Sequence, residues 1–547
     1  MVPEMPNDNA SSQEQVYDFI IIGSGFGGSV SALRLAEKGY RVLVIERGKR
    51  YRTEDFPHRN WNIWKFLWLP VLRCFGFWEM TFLPGILILH GSGVGGGSLV
   101  YAGVLMEPGD DFFSEATWSH LGDWKTILQP HYQTARKMLG AAVNPKLWLA
   151  DDLLKEIAGE QGRPESFRPT EVGVYFGEEG VEQTDPYFNG AGPGRIGCTH
   201  CGGCMVGCRY NAKNSLDKNY LYLAENKGVR IIPESKVEAI SQLQPQDSNG
   251  ARYLVEYQSS TKLFMYKRVA VRAKNVIVSA GVLGTQKLLF RCRDELGTLP
   301  SISHHLGELV RTNSEAFMGG MRYQSRDDLS KGLAITSVFE ADDTTKVEPV
   351  RFPRGSSLIY WLLAFPLFES TGTLMARLLK MMKVVITRPR EVISNKLFPG
   401  MANRSTILMI MQTEDNLMKV RPRKGFRGAI SKGLTVVHDD EKAIPVNTEI
   451  GYRVTASFCD KLGAKPLNGI TEGLLDIPAT AHVLGGCNFS RSADEGVVDL
   501  NCEVHNYPGL YVVDGSIIPA NPGINPSLTI TALAEYAMSQ IPENPAK

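Results

Sequence analysis

The chain has 547 residues, 43% of them hydrophobic, with 59 basic and 58 acidic residues and a formal net charge of +1. A chain of this length can bury a large core and is expected to divide into two or more domains. Its balanced charge gives no net field to gather a polyanion, which argues against a nucleic-acid partner.

The opening MVPEMPNDNASSQEQ has neither a basic start nor an apolar run, so it does not read as a secretory signal, and a cytoplasmic protein is expected. Next comes YDFIIIGSGFGGSVSALRLAEKGYRVLVIERGKRY, with an apolar strand at 19–22, a glycine turn, an amphipathic helix and a second strand at 42–45. Gly23, Gly25 and Gly28 form G-x-G-x-x-G, in which the first glycine makes a tight turn, the second admits a pyrophosphate and the third lets helix pack on strand. The helix N-terminus then faces the phosphates, and Glu46 ends the second strand where a carboxylate bonds ribose hydroxyls. Strand, helix, strand and terminal acid together predict dinucleotide binding, with FAD and NAD both open at this point.

Residues 60–85, NWNIWKFLWLPVLRCFGFWEMTFLPG, are crowded with Trp and Phe but interrupted by Lys65 and Arg73. Residues 85–107, GILILHGSGVGGGSLVYAGVLME, hold a second glycine-dense loop, which reads either as a close backbone approach to a flat or phosphorylated ligand or as a flexible surface loop.

The segment GCTHCGGCMVGC, 197–208, sets Cys198, Cys201, Cys204 and Cys208 at C-x2-C-x2-C-x3-C, the spacing of a bacterial ferredoxin loop. It predicts an iron–sulfur cluster, 4Fe-4S or 3Fe-4S, with structural zinc or free thiols as the alternatives. Arg209 follows the last cysteine where ferredoxins have proline. The remaining cysteines, Cys74, Cys292, Cys459, Cys487 and Cys502, are scattered and read as free buried thiols.

The longest apolar run, 358–368, is far short of the roughly 20 residues needed to span a bilayer. LMARLLKMMKVVI, 374–386, spaces Arg377, Lys380 and Lys383 three apart, which predicts a basic stripe opposite Leu and Met. This helix and the aromatic stretch 60–85 read either as ordinary core and surface or as an apolar rim touching a membrane. Near the end, a strand at 510–513 leads through Asp514, Gly515 and a Pro/Gly/Asn loop into a helix from about Ser527, which aims another helix N-terminus at a ligand.

Taken together, the N-terminal fingerprint, VGGGSL, NVIVSAGVLGTQKLL, LVRTNSEA, AHVLGG and VVDGSIIPANPGINPSLTITALAE resemble the glucose-methanol-choline (GMC) flavin oxidoreductases, and among them the bacterial cholesterol oxidases. The resemblance spans nearly the whole chain in the family's order. It implies an α/β fold, with a discontinuous Rossmann-like FAD domain (14–110, 225–315, 470–547) and an α+β substrate domain built on a sheet (111–224, 316–469). It also implies noncovalent FAD, since Val100 stands where some relatives attach flavin through histidine. FAD contacts are then expected from Gly23, Gly25, Phe26, Gly27, Gly28, Glu46, Gly95, Gly96, Gly97, Ser98, Val237, Asp514, Gly515, Asn525 and Pro526. His482 and Asn525 fall at the family's catalytic histidine and asparagine; without the motif they would read as a core histidine and a turn residue. Tyr101 departs from the family's usual asparagine, which bears on flavin contact and oxygen access. Cholesterol oxidases also isomerise their product with a glutamate, which no motif places here.

The implied reaction is FAD-dependent oxidation of a bulky hydrophobic alcohol, with a 3β-hydroxysteroid first and a long-chain or terpenoid alcohol second. Handing an alcohol proton of pKa about 15.7 fully to a histidine of about 6.5 costs roughly 12 kcal/mol, so proton and hydride are expected to leave together. The acceptor is oxygen or, if the cysteines hold a cluster, an electron carrier or quinone. Two non-catalytic readings remain: a flavin and iron–sulfur electron-transfer protein, and a zinc-stabilised binding module.

Overall fold

The computed structural model describes residues 16–545 apart from 244–246, 248, 263–266, 324–326, 368–371, 398–399, 424–432, 440 and 447. The reading of the first fifteen residues as no signal therefore falls outside the described residues, as does the last residue of the 358–368 run.

Two seven-stranded sheets organise the chain. In the first, strand Val16–Ile22 pairs in parallel with Val42–Ile45 on one side and Val269–Val278 on the other, with Arg230–Ile232 beyond Val42–Ile45. The run FIII is apolar without alternation because the sheet is covered on both faces, and Ile20 and Ile21 are fully buried. Strand Leu510–Val512 pairs in parallel with Val269–Val278, bringing a distant part of the chain to the middle of the sheet. Helix Phe26–Glu37 packs between this sheet and helix Ser527–Ser539, whose near-complete burial follows from its small and apolar residues.

The second sheet is antiparallel, in the order Ala364–Pro366, Lys465–Gly469, Ala316–Met321, Ser405–Gln412, Thr345–Val350, Ser337–Glu340, Arg168–Pro169. Helices Leu149–Glu160 and Glu449–Leu462 cover one face around Phe339, Ile410 and Phe458. The other face turns Phe317, Ile407, Met409 and Leu467 toward a cavity shared with the first sheet.

The 374–386 expectation holds as a helix, Leu374–Thr387, but not as a basic stripe. Arg377 is buried and pairs with Asp476 at 2.6 Å, because the turn carrying Asp476 packs against the helix. What the helix shows to solvent is largely apolar: Leu374, Met375, Leu379, Met382 and Ile386 are exposed.

Candidate active site

One continuous cavity of about 710 Å³ runs from the glycines after the first strand to the antiparallel sheet. At its first end the three glycines do different things. A side chain on Gly23, whose φ is +98°, would meet the Ser279 carbonyl oxygen at 2.2 Å, and one on Gly28 would meet the Gly23 carbonyl oxygen at 2.1 Å. Gly25 has no atom within 4 Å of where its Cβ would be and lines the cavity, so its missing side chain leaves room for a ligand rather than for packing. Gly27 touches the chain's far end: its Cβ would lie 1.7 Å from the Val513 carbonyl oxygen.

Glu46 lies at the same end. Its Oε2 accepts from the Ser24 backbone N–H at 3.0 Å and hydroxyl at 2.8 Å, and its Oε1 from the Gly48 N–H at 2.7 Å. A carboxylate has about four acceptor sites, so room for ribose hydroxyls remains. The second glycine loop packs backbone to backbone on the first, since a Cβ on Gly96 would lie 2.6 Å from the Gly25 Cα. Gly96, Gly97, Phe26, Val237, Asp514, Gly515 and Pro526 line the cavity. Gly95, Ser98 and Gly28 stand behind it, with the Ser98 hydroxyl donating to the Gly95 carbonyl at 2.7 Å and accepting from the Leu216 N–H at 3.0 Å. Burial pushes the Asp514 carboxyl up despite donors from Gly281, Thr285 and Ser516. A nucleotide cradle with bare backbone, an open Cβ position and an anchored acid fits FAD.

At the other end His482 and Asn525 line the same cavity. The His482 Nδ1 lies 2.6 Å from Oε1 of Glu315, a fully buried carboxylate that also accepts from the Ala481 N–H at 3.2 Å and from the Thr480 hydroxyl. That contact assigns the proton to Nδ1 and leaves Nε2 available toward the cavity. Burial works against the charged imidazole, but Glu315, by charge and hydrogen bond, and Glu348 outweigh it and raise His482 above the ordinary histidine value. The Asn313 amide, donating to the Ile524 carbonyl at 2.9 Å and lying 3.2 Å from His482 Nδ1, ties the histidine to the loop that carries Asn525.

Two residues of this centre escaped the sequence. Glu315 lies inside the quoted LVRTNSEA, but nothing in that string says that it meets residue 482. Glu348, on strand Thr345–Val350, is fully buried, and neither oxygen has a hydrogen-bond partner. Burial pushes it up to about 7, with His482 and Asn525 as the neighbours pulling the other way. The Asn525 Oδ1 is also buried without a partner. An imidazole and an amide thus line the cavity, with the Glu348 carboxyl, its proton held to near neutrality, as their buried neighbour.

The cysteine loop corrects an expectation. Cys198, Cys201, Cys204 and Cys208 line a separate hollow of about 10 Å³, no more than a water occupies. Among the described residues no group of three or more His, Cys, Asp or Glu side chains is placed to hold a metal ion. Burial pushes the Cys204 thiol up to about 12 and Cys198 and Cys201 upward as well. The iron–sulfur cluster expected on these residues is therefore not supported, and all nine cysteines are free.

Comparison with known proteins agrees with the geometry. Residues 192–295 and 423–534 match the GMC oxidoreductase family, and residues 21–58 match an NAD(P)-binding Rossmann-like domain. A cholesterol oxidase of Acinetobacter baumannii is 41% identical over 531 residues, covering 96% of this chain and 94% of that protein. The chain is a GMC oxidoreductase. A cholesterol oxidase of Mycobacterium tuberculosis (strain H37Rv) is also 41% identical, over 96% of this chain and 91% of that one. A long-chain-alcohol oxidase of Arabidopsis thaliana is 24% identical, over 96% and 67%. Pyridoxine 4-oxidase from Mesorbium loti shares the fold at TM-score 0.59 and 16% identity, covering 96% of this chain and 99% of that one. This GMC oxidoreductase is an FAD-dependent enzyme acting on alcohols, with a mixed α/β, Rossmann-containing fold.

Proposed function

We propose that this GMC oxidoreductase oxidises the 3β-hydroxyl of a steroid to the ketone, with oxygen as electron acceptor. The observation that carries this reading is the pair His482 and Asn525 in the wall of a cavity whose substrate side turns Phe317, Ile407, Met409 and Leu467 inward, with the buried Glu348 standing behind the pair. The names of the relatives 41% identical over 96% of the chain support the same substrate class.

In this reading 14–110, 225–315 and 470–547 form the cofactor side, and 111–224 and 316–469 the substrate side. Gly23, Gly25, Glu46, Gly96, Gly97 and Asp514 hold FAD noncovalently, and when bound it supplies the two-electron acceptor for the hydride leaving the carbinol carbon. The substrate hydroxyl donates to His482 Nε2, which takes its proton as the hydride departs. The Glu315 carboxylate keeps Nδ1 protonated and steadies the charge that the ring gains. The Asn525 side chain holds the oxygen in place. Glu348 fills the role of the isomerising glutamate: as carboxylate it takes a proton from the carbon between the new ketone and the steroid double bond and returns it to the far carbon of that double bond, which moves into conjugation.

The substrate arrives from a lipid surface. Trp61, Trp64, Val71, Leu72, Met375 and Leu379 are exposed, and Phe82 is both exposed and part of the cavity wall. Trp61 lies 6.1 Å from Trp361, which is itself exposed on helix Leu358–Leu363. Lys65, Arg73, Lys383, Arg388 and Arg390, exposed in the same segments, match anionic headgroups.

The test is turnover of FAD-loaded enzyme with a 3β-hydroxysteroid, following ketone and hydrogen peroxide together. Equal amounts of both are expected. Turnover of long-chain primary alcohols with none of the steroid overturns the substrate, and ketone without peroxide overturns the acceptor.

A further inference from the structure

Lys213 is buried beside the cavity with no carboxylate partner among the described residues. Its Nζ donates to the backbone carbonyls of Cys204 at 2.7 Å, Leu99 at 2.9 Å and Tyr101 at 3.4 Å, and lies 5.1 Å from the centre of the Tyr101 ring. An ammonium has three protons, and three converging carbonyls use all of them. The carbonyls belong to two separate loops: Cys204 to the cysteine loop, Leu99 and Tyr101 to the second glycine loop. Both loops build the cavity. Tyr101 and Val100 line it from one loop and Met205 from the other, the Met205 carbonyl also accepting from the Trp78 indole at 2.7 Å. The lysine is fixed at its own backbone, where its N–H donates to the Cys208 sulfur at 3.4 Å. The residues after it add two more ties, from the Tyr101 hydroxyl to the Asn214 carbonyl at 2.8 Å and from the Leu216 N–H to Ser98.

We propose that Lys213 is a positioning residue whose ammonium locks the cysteine loop and the second glycine loop together as adjoining walls of the cavity, fixing FAD and substrate relative to each other. It touches neither. A hydrophobic side chain would fill the space but strand three buried carbonyls, whereas carboxylate pairing would hold only one loop. This gives the cysteine-rich turn a role in the reaction through its backbone, without a step at sulfur.

The test compares Lys213→Met with the parent as FAD-loaded protein. Four readouts are taken: FAD content, visible circular dichroism of the flavin, amide exchange at 98–101 and 204–206, and kcat and KM for the alcohol. Expected are retained FAD, altered dichroism, faster exchange confined to both loops, and a kcat reduced roughly tenfold or more with KM little changed, the sensitivity expected of displaced reacting groups. Parent-like dichroism and kcat, or a lowered melting temperature with kcat intact, overturn the proposal. If Lys213→Met does not fold, Lys213→Gln, which keeps two donors, is expected to give smaller changes of the same kind, and parent-like dichroism and exchange there overturn it equally. Dichroism and exchange need no substrate, so failure of the steroid reading is distinguishable from failure of this one.

Discussion

The Glu315–His482 contact at 2.6 Å sets how the site responds to pH. Removing the carboxylate with Glu315→Gln takes away the charge that raises His482, so the acid limb of kcat/KM is expected to move to lower pH while kcat falls; an unmoved limb would show that another group titrates there. His482→Ala is expected to lose at least roughly a hundredfold in turnover with FAD retained, the scale of a general base. Folded-state values above the unfolded ones mean that the folded protein holds these protons more tightly. For His482 the stability gained is complete below about pH 6.5 and is lost as pH rises through its raised value. For Glu348, unfolded value about 4.3, stability falls between there and its folded value of about 7. The two titrate as a pair. Glu348→Gln is therefore expected to flatten the decline of the melting temperature from pH 5 to 7, and to leave alcohol oxidation while abolishing isomerisation of the ketone. Residue order does not give these pairings: motifs single out His482 and Asn525, but Glu348 lies in an unremarkable strand, and only folding brings it to residue 482.

At the scale of elements, the glycine fingerprint was legible because its geometry is local: strand, turn and helix are consecutive, and each glycine's reason lies within a few residues. Gly27 is the exception, since its constraint is the Val513 carbonyl from the far end of the chain. Two substitutions separate these cases. Gly27→Ala drives a methyl into backbone and is expected to lower the melting temperature of the protein even when stripped of FAD. Gly25→Ala meets nothing in the protein and is expected to leave that melting temperature unchanged but weaken FAD affinity, measured by flavin fluorescence on titration. The cysteine loop shows the limit of spacing as a signal. C-x2-C-x2-C-x3-C fixes how far apart the sulfurs lie along the chain, but not the size of the space between them, and here that space holds a water at most.

At the scale of the whole molecule, the two sheets meet over one cavity, and the exposed apolar residues of 61–82 and 374–386, of which Phe82 reaches the cavity wall, are where the lipid reading is tested. Cosedimentation with anionic vesicles is expected for the parent and reduced for Leu379→Glu combined with Val71→Glu, two exposed positions whose change leaves the cavity lining intact; equal binding by both would remove these residues from the account. The α/β class and the nucleotide half were legible because their strands announce themselves by continuous apolar runs. The antiparallel sheet was legible only through family resemblance, as its strands pair across more than a hundred residues, Ala316–Met321 with Lys465–Gly469 among them.

The place of strand Leu510–Val512 beside Val269–Val278 bears on how the protein is made. On the ribosome the nucleotide sheet lacks this member until residue 512 has emerged, long after the glycine fingerprint has been synthesised. Helix Ser527–Ser539, which packs on the fingerprint helix, follows later still. The first apolar strands therefore wait through the synthesis of everything up to residue 510 without their final neighbours, a period in which such surfaces are open to aggregation. Chains halted before residue 510 are expected to be clients of chaperones and unable to retain FAD, so that cofactor loading follows the synthesis of residues 510–539.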